Sequence, residues 1–400
     1  MAGGLAAAPT EERDWTSTTG TKLLASALGV KDAVVQFRTA DGKEVMVPLA
    51  KLTMEDRAAI DARFGKKAPT LVYPLGVPSG PHDAGGGSSY FVYMPNSLKE
   101  GRKAALLLYS GAFGGGADNV MCHQKGAEVN GWIVAASVES NNGGRIDANH
   151  AHAKRCVEHL LKTLPIDPDR VYFTGNSGGG AMAFLNASLI PSAGAMPLIG
   201  FNRTKKYAKG GHYYVMNGAT DYNRYYGANG VLGAGNRGFH RLYPGGHVDP
   251  PTWILDEAMT WLNGKYLLGR KSDRASNDER YDWESSVIAW IGEMKADVPY
   301  RAYYWCDFLS GAYRVSGPNA EVVKALQVEL GKNPINVRYA QGIEAIHGFS
   351  KKYYTEFTYS LFGHNTPKIE AAAAKFQKEW AGVPFVEDVA KELGMPTSGQ

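Results

Sequence analysis

The chain has 400 residues, 44% of them hydrophobic, and its 43 basic and 39 acidic residues leave a formal net charge of only +4. This length predicts two or three globular domains, and the small charge, without blocks of one sign, argues against nucleic acid or an anionic membrane surface as the partner. The sequence contains no run of about 18 apolar residues, so we expect no membrane-spanning helix. Three cysteines lack the spacing of a metal site and allow one disulfide at most, and their redox state stays open: Cys122, Cys156 and Cys306.

Residues 1–10 lack both the basic start and the long apolar stretch of an intact signal peptide. They fit the remnant of such a peptide and an ordinary N-terminal tail equally well. The sequence of this segment therefore leaves the compartment open.

Residues 11–65 are predicted to form a small β-rich module. Two β-type runs at 33–37 and 44–47 flank the dipeptide Asp41-Gly42, which is a hairpin signal. Thr53 is a plausible N-cap for a helix that reaches about residue 64, with Asp56 at its third position.

The pattern of this module resembles the first Sla homology domain, an SH3-like small barrel. The residues that carry the resemblance are Arg13, Trp15, Gly20, Val34, Phe37, Asp41, Gly42, Lys43, Val47, Pro48, Leu49, Lys51, Leu52, Glu55 and Asp56. The resemblance implies that the module either binds an unidentified ligand or stabilises the neighbouring domain. It implies no chemistry of its own.

Residues 66–89 are rich in proline and glycine and are predicted to be a linker. From residue 90 to 269, short apolar runs alternate with helical stretches, which predicts a mostly parallel sheet with helices on both faces. Six strands are expected, at residues 91–93, 104–108, 132–136, 171–173, 213–216 and 238–242. Helices are expected at 149–161, 179–190 and 252–262.

Residues 270–400 change in character, beginning with a polar, charged stretch at 271–280. Helical patterns with many aromatic residues follow, at 283–294, 319–330, 366–380 and 386–393. We find no motif with a chemical role there and predict either an accessory helical domain or a lid-like cover on the preceding domain.

Ser177 is the predicted nucleophile. It lies in Gly175-Asn176-Ser177-Gly178-Gly179, between the apolar run 171–174 and the helical segment 181–185. A G-x-S-x-G sequence between a strand and a helix holds its serine on a strained turn with the hydroxyl exposed. The small residues two positions before and after the serine leave room for neighbouring backbone. With 48 glycines in the chain, chance is the competing explanation.

A serine nucleophile needs a histidine to accept its proton and a carboxylate to orient that histidine. In this type of fold the chain order is serine, acid, histidine. Asp221 follows the predicted strand 213–216 and His247 follows the strand 238–242, so both are expected at the carboxyl ends of strands, where ligands collect in open parallel sheets. Asp249 and Asp256 are competing acids, but both come after the histidine in the sequence.

An oxyanion hole needs two N–H donors. We predict the backbone N–H of Gly178 as one donor and that of Ala112 as the other, with Phe113 as the alternative to Ala112, because the glycine-rich segment 111–116 follows a strand. Phe113, Tyr222 and Tyr225 are predicted to contact substrate, although packing explains the tyrosines equally well.

Four residues resemble a metal-ligand cluster: His150, His152, Glu158 and His159. They fall on a predicted helix that spreads them over several faces, so we predict no metal site. Histidines 212 and 240 are expected to be structural.

Residues 90–268 resemble the polyhydroxybutyrate-depolymerase-like and feruloyl-esterase-like branch of the α/β-hydrolases. The resemblance is carried by Tyr90-Phe91-Val92-Tyr93-Met94-Pro95, by Asp167-Pro168-Asp169-Arg170-Val171-Tyr172 with Gly175 to Gly180, and by Gly245-Gly246-His247. It implies an α/β-hydrolase fold and a secreted or periplasmic esterase without a cofactor, acting on acylated polysaccharide (acetyl or feruloyl) or on polyester. It makes Ser177, Asp221 and His247 nucleophile, acid and base.

Two other functions remain open from the sequence. A serine peptidase of the same fold would use the same three residues, although no large cap of the prolyl-peptidase kind is visible. A hydrolase-like scaffold used only for binding would need no complete triad.

Overall fold

The computed structural model of the chain describes residues 11–31, 34–64, 72–99, 101–202, 204–269, 277–355 and 365–397. The chain divides into two compact units between residues 71 and 72. Residues 1–10, the first part of the predicted linker and the polar stretch 270–276 lie outside the described residues.

The N-terminal unit contains a four-stranded antiparallel sheet. Its strands follow chain order, with β1 at Arg13–Thr16, β2 at Lys22–Lys31, β3 at Val34–Arg38 and β4 at Glu44–Pro48. The predicted hairpin is confirmed, because Arg38 pairs with Glu44 and Gly42 turns the chain at a φ of +83°. Helix α1 at Met54–Phe64 begins as predicted, with the Asp56 N–H donating to Thr53 Oγ1 at 3.3 Å. The SH3-like identity of this unit stays a prediction.

The second unit is built on an eight-stranded sheet. Its strands are β5 Pro78–Gly85, β6 Ser88–Tyr93, β7 Ala104–Ser110, β8 Ile133–Ser137, β9 Ile166–Asn176, β10 Gly194–Leu198, β11 His212–Gly218 and β12 Gly238–Tyr243. The spatial order is β12-β11-β10-β9-β7-β8-β6-β5. Strands β7 to β12 are parallel, and β6 is antiparallel to both of its neighbours, β5 and β8. This mixed sheet with its flanking helices is an α/β-hydrolase fold.

Three details of the predicted sheet were wrong. Strand β5 and the start of β6 occupy the second half of the predicted linker, 66–89. The strand predicted at 91–93 belongs to the antiparallel β6. The sixth parallel strand is instead β10, which was not predicted from the sequence.

Helices cover both faces of this sheet. Those of the central region are α2 Ala117–Met121, α3 Gln124–Asn130, α4 Ile146–Thr163, α5 Gly178–Leu189, α6 Arg224–Ala234 and α7 Thr252–Gly269. Successive strand residues point to opposite faces, so Phe173 packs in one core with Cys156 of α4 and Phe184 of α5. Its neighbour Tyr172 packs in a second core with Leu262 of α7.

The C-terminal segment is helical, as predicted, and continues the second core. Its helices are α8 Asn277–Met294, α9 Pro299–Asp307, α10 Pro318–Leu330, α11 Pro334–Phe349, α12 Pro367–Glu379 and α13 Val386–Glu392. Four of them begin with proline, whose fixed φ suits the first helical position. Buried side chains of α8 to α13 belong to the same apolar cluster as Tyr172 and Leu262.

The three cysteines are free thiols, with Cys156 and Cys306 buried. None of the helices in the described ranges has both the length and the apolar character that a bilayer crossing requires.

Candidate active site

Ser177 lies on the sharp turn between β9 and α5. Its backbone has φ 52° and ψ −113°, a conformation that costs a non-glycine residue free energy. A Cβ atom at Gly175 or at Gly179 would lie 1.9 or 1.8 Å from the carbonyl oxygen of Ser110. The strained turn and the need for glycine on both sides of Ser177 are therefore confirmed.

His247 lies between Ser177 and Asp221. Its Nε2 is 2.9 Å from Ser177 Oγ, and its Nδ1 is 2.8 Å from Asp221 Oδ1. A carboxylate only accepts hydrogen bonds, so Nδ1 carries the proton and Nε2 is left to accept from the serine hydroxyl. The Asp221 side chain is fully buried and that of His247 is 15% exposed. The structure brings the three predicted residues together in one chain of hydrogen bonds.

Asp221 has further partners that hold its carboxylate in place. The backbone N–H of Asn223 donates to Oδ1 at 2.9 Å, and Asn217 Nδ2 donates to Oδ2 at 2.7 Å. A buried carboxylate without such donors would be costly to ionise. The second oxygen is occupied by Asn217, which leaves the first to face His247.

The three aromatic residues predicted to contact substrate have different surroundings. The Tyr222 ring stacks on His247 with centroids 4.3 Å apart. Partial burial and the charge of Asp221 raise the pKa of Tyr222, and they outweigh a hydrogen bond with the Ser177 side chain that lowers it. Phe113 is 95% exposed.

The prediction for Tyr225 is wrong. Helix α6 has begun at Arg224, and Tyr225 is fully buried with its hydroxyl donating to Asn365.

The predicted oxyanion donors are placed as follows. Gly178 is the first residue of α5, where a backbone N–H has no intrahelical acceptor. The N–H of Ala112 donates to Asn176 Oδ1 at 3.0 Å, so Ala112 is not a free donor in this state. The choice of Ala112 over Phe113 is therefore not supported, and Phe113 stays as the alternative prediction.

Two depressions flank the nucleophile. One is a cavity of about 340 Å³ beside Ser177 whose lining includes five apolar side chains, Ile146, Ala181, Met182, Leu185 and Phe201. The other is a groove of about 410 Å³ lined by Tyr109, Phe113, Gly114, Gly115, Gly116, Asn119, Val138 and Asn176. Both volumes are within the range of small-molecule sites.

The competing residues have other roles. Asp249 accepts from Asn176 Nδ2 at 3.2 Å, and Asp256 lies on α7 and accepts from the Gly126 N–H at 2.7 Å. Burial lowers the pKa of His212 and of His240 to about 4 and about 3, which keeps both rings neutral. Within the described ranges, no three histidine, cysteine or acidic side chains converge as a metal site requires.

Two polar residues beside the triad were not predicted from the sequence. Asn176 precedes the nucleophile, and its side-chain oxygen accepts a hydrogen bond from the Ala112 N–H. Asn217 lies near the end of β11 and donates to Asp221. Asn217 directly follows the predicted strand 213–216, so the sequence indicated its position at the end of a strand. The sequence did not indicate its hydrogen bond to Asp221.

Comparison with protein families finds no matching family model, and no curated protein sequence matches. Solved structures share part of the fold. The acetyl xylan esterase from Aspergillus awamori is 16% identical with a TM-score of 0.39, and the match covers 47% of this chain and 99% of that enzyme. A hyperthermophilic esterase from the archaeon Pyrobaculum calidifontis is 12% identical with a TM-score of 0.39, covering 49% of this chain and 86% of the other.

The S-formylglutathione hydrolase of Staphylococcus aureus is 14% identical with a TM-score of 0.36, covering 44% of this chain and 90% of that enzyme. Likenesses this distant carry no activity over to this chain.

Proposed function

We propose that the protein is a serine carboxylesterase in which Ser177 is the nucleophile, His247 the general base and Asp221 the acid that orients it. The observation that carries this proposal is the continuous pair of hydrogen bonds at 2.9 and 2.8 Å from the Ser177 hydroxyl through the imidazole to a fully buried carboxylate. Such a pairing is what an unreactive hydroxyl needs to attack a carbonyl carbon.

In the first step Ser177 Oγ bonds to the ester carbonyl carbon while its proton passes to His247 Nε2. The negative charge that forms on the carbonyl oxygen is stabilised by the Gly178 N–H and a second backbone donor, for which Phe113 is the candidate. The imidazolium, stabilised by Asp221, then gives its proton to the departing alkoxide. Water repeats these steps on the acyl-enzyme and releases the carboxylic acid.

The cavity beside Ser177 supports an apolar acyl group larger than acetyl. Five apolar side chains line it beside those of Asn141, Asn142, Asn149 and Thr204, and about 340 Å³ is more space than an acetyl group would fill. The groove beside Phe113 is open, and we assign it to the alcohol part of the ester, which polysaccharide or polyester would supply. A secreted or periplasmic location fits such substrates and is part of the same proposal.

The test is hydrolysis of aryl esters with acyl chains from two to twelve carbons, beside a panel of peptide amides. We expect ester turnover, with kcat/KM rising from acetyl to medium-length acyl groups. Ser177→Ala should lower kcat by roughly 10⁴-fold or more, since the other triad residues act only through the nucleophile. A fluorophosphonate should label Ser177 in the unmodified protein, detected by peptide mass spectrometry.

Ser188→Ala is the matched control, because Ser188 lies at the far end of the helix that begins after Ser177 and donates to the carbonyl of Leu185. It should keep the activity of the unmodified protein. Ester turnover that survives Ser177→Ala would refute the mechanism. Faster cleavage of amides than of esters would identify a peptidase, and an unlabelled, inactive protein would identify a binding scaffold.

A further inference from the structure

We propose that the C-terminal helices position the acid and the base of the triad through two polar contacts, made by Ser350 on the acid side and Glu392 on the base side. The inference rests on the proposed function. Ser350 and Glu392 are then positioning residues. The C-terminal segment, predicted above as an accessory domain or a lid, acts instead as a scaffold for the triad.

The acid side is a buried chain of side chains that starts at Asp221. Asn217 donates to Asp221 Oδ2 at 2.7 Å through its Nδ2, and its Oδ1 lies 2.9 Å from His240 Nε2. An amide oxygen only accepts, so His240 carries its proton on Nε2, and its Nδ1 accepts from the Ser350 hydroxyl at 2.5 Å.

All members of this chain are shielded from water: Asp221, Asn217, His240 and Ser350 are each 0% exposed. Ser350 begins the π-helical turn Ser350–Tyr354 that follows α11. The acceptor-only carboxylate of Asp221 sets the orientation of the Asn217 amide and with it the Nε2 proton of His240. The C-terminal segment completes the chain, because Ser350 supplies the donor that His240 Nδ1 then needs and holds the imidazole ring against Asn217.

The base side is a contact to the loop that carries His247. The backbone N–H of Gly245 donates to Glu392 Oε2 of α13 at 2.6 Å. The carbonyl of the same residue accepts from the Thr220 N–H at 2.9 Å and from its hydroxyl at 3.0 Å. Gly245 is thus held from both sides, by α13 on one and by the acid loop on the other, two residues before His247.

The acid loop receives a third contact from the C-terminal segment. Arg224, which follows the Asp221 turn, donates through Nη2 to Asn365 Oδ1 at 2.8 Å and to the Met395 carbonyl at 3.1 Å. Contacts at His240, Arg224 and Gly245 place the C-terminal segment behind the acid and the base. The cavity beside Ser177 is lined by residues between 141 and 204, and none of the described residues of the C-terminal segment is among them. This distribution fits a scaffold.

The test compares Glu392→Ala with Glu392→Gln, which keeps an acceptor for the Gly245 N–H. Glu392→Ala should lower kcat on an aryl ester about tenfold or more with little change in KM, because a small displacement of a catalytic group reduces the rate rather than binding. Glu392→Gln should restore most of kcat. Asp388→Ala is the control, since it removes an exposed acidic side chain from the same helix.

A second measurement does not depend on activity. In proton NMR, the low-field resonance of the His247 Nδ1 proton should move upfield in Glu392→Ala and in Ser350→Ala, as its hydrogen bond to Asp221 lengthens. Nitrogen shifts should show His240 protonated on Nε2 in the unmodified protein, and the Nδ1 resonance should move downfield in Ser350→Ala because that nitrogen loses its hydrogen-bond donor. Ser310→Ala, in the π-helical turn Phe308–Tyr313 that follows α9, should change neither signal.

Unchanged resonances and kcat in both Ala variants would overturn the proposal, and so would an equal loss in Glu392→Ala and Glu392→Gln. If the unmodified protein hydrolyses no ester but the resonances move as expected, the esterase function fails and the positioning role stands. If the unmodified protein hydrolyses esters but the resonances do not move in the Ala variants, the esterase function stands and the positioning role fails.

Discussion

Asp221 and Asp256 are both buried carboxylates of the second unit, and they differ in the hydrogen bonds that they accept. Asp221 accepts hydrogen bonds from His247, Asn217 and Asn223 and is fully buried. Asp256 is 6% exposed and accepts from the backbone of Gly126. Burial outweighs that hydrogen bond and raises the pKa of Asp256 to about 7. Asp221 thus has the hydrogen-bond donors that a buried carboxylate needs. Asp256 has fewer, and its ionisation lowers the stability of the folded state.

The burial of Asp256 predicts a pH-dependent stability. Its pKa rises from 3.8 to about 7 on folding, so the folded state binds the proton more tightly, and the favourable contribution is complete below pH 3.8 and lost as the pH rises through 7. Asp256→Asn keeps an acceptor for Gly126 and cannot ionise. We expect it to raise stability at pH 8 by up to about 4 kcal/mol, at about 1.4 kcal/mol per pKa unit, with no gain near pH 4.

Thermal unfolding followed by circular dichroism from pH 4 to pH 9 measures this difference. Asp169→Asn is the control, because Asp169 is an exposed carboxylate of the same unit. A gain in Tm that is the same at pH 4 and pH 8 would show that the effect does not come from ionisation.

Which site residues could be predicted depended on how far their partners lie along the chain. Ser177, Asp221 and His247 each follow a strand in the order the fold requires, and their association was predictable from that order. Ser350 and Glu392 meet His240 and Gly245 across 110 and 147 residues. No local pattern specifies such pairs. The prediction for Tyr225 failed because α6 begins at Arg224 and directs Tyr225 into the core, whereas Tyr222, in the loop before the helix, stays partly exposed.

At the scale of elements, helix α6 must approach the end of β11 closely. A Cβ at Gly227 would lie 2.1 Å from Asn217 Oδ1 and 3.0 Å from His240 Nε2. The methyl group added by Gly227→Ala would therefore collide with both partners of the hydrogen bond between Asn217 and His240. We expect a loss of about 2 kcal/mol in stability despite the better helix propensity of alanine, together with a fall in kcat.

Urea unfolding and an aryl-ester assay measure both effects of Gly227→Ala. Gly292→Ala in α8 is the matched control, since no atom lies within 4 Å of its added methyl. It should stabilise the protein by about 0.5 to 1 kcal/mol and leave kcat unchanged. A Gly227→Ala protein as stable and as active as the unmodified one would show that α6 has room to move.

The two strands missed in the sequence have compositions that oppose strand formation. Strand β5 reads Pro-Ser-Gly-Pro-His-Asp-Ala-Gly, and it lies at the edge of the sheet, where proline is tolerated. Strand β10 reads Gly-Ala-Met-Pro-Leu and contains no β-branched residue. Both are strands because their neighbours pair with them. The apolar runs of β7, β8 and β11 carry the pattern in their own residues and were predictable.

At the scale of the whole molecule, the C-terminal helices and the sheet share one apolar core. Leu255, Met259 and Leu262 of α7 belong to the same cluster as Trp290 of α8 and Trp305 of α9. A domain boundary at residue 269, as the sequence predicted, would cut through this cluster. The polar stretch at 271–280 indicated a boundary because its composition is local, whereas the core that continues beyond it is assembled from distant segments.

This shared core predicts how truncated chains behave. A fragment of residues 72–400 contains the triad, both depressions and every positioning contact, so we expect it to fold and to keep the kcat/KM of the whole chain. A fragment of residues 72–269 leaves the apolar face of α7 in water and loses Ser350 and Glu392. It should unfold without a cooperative transition and lose ester hydrolysis. Circular dichroism melts and aryl-ester assays on the two fragments measure both properties, and an active 72–269 fragment with a sharp Tm would show that the C-terminal helices are a separable domain.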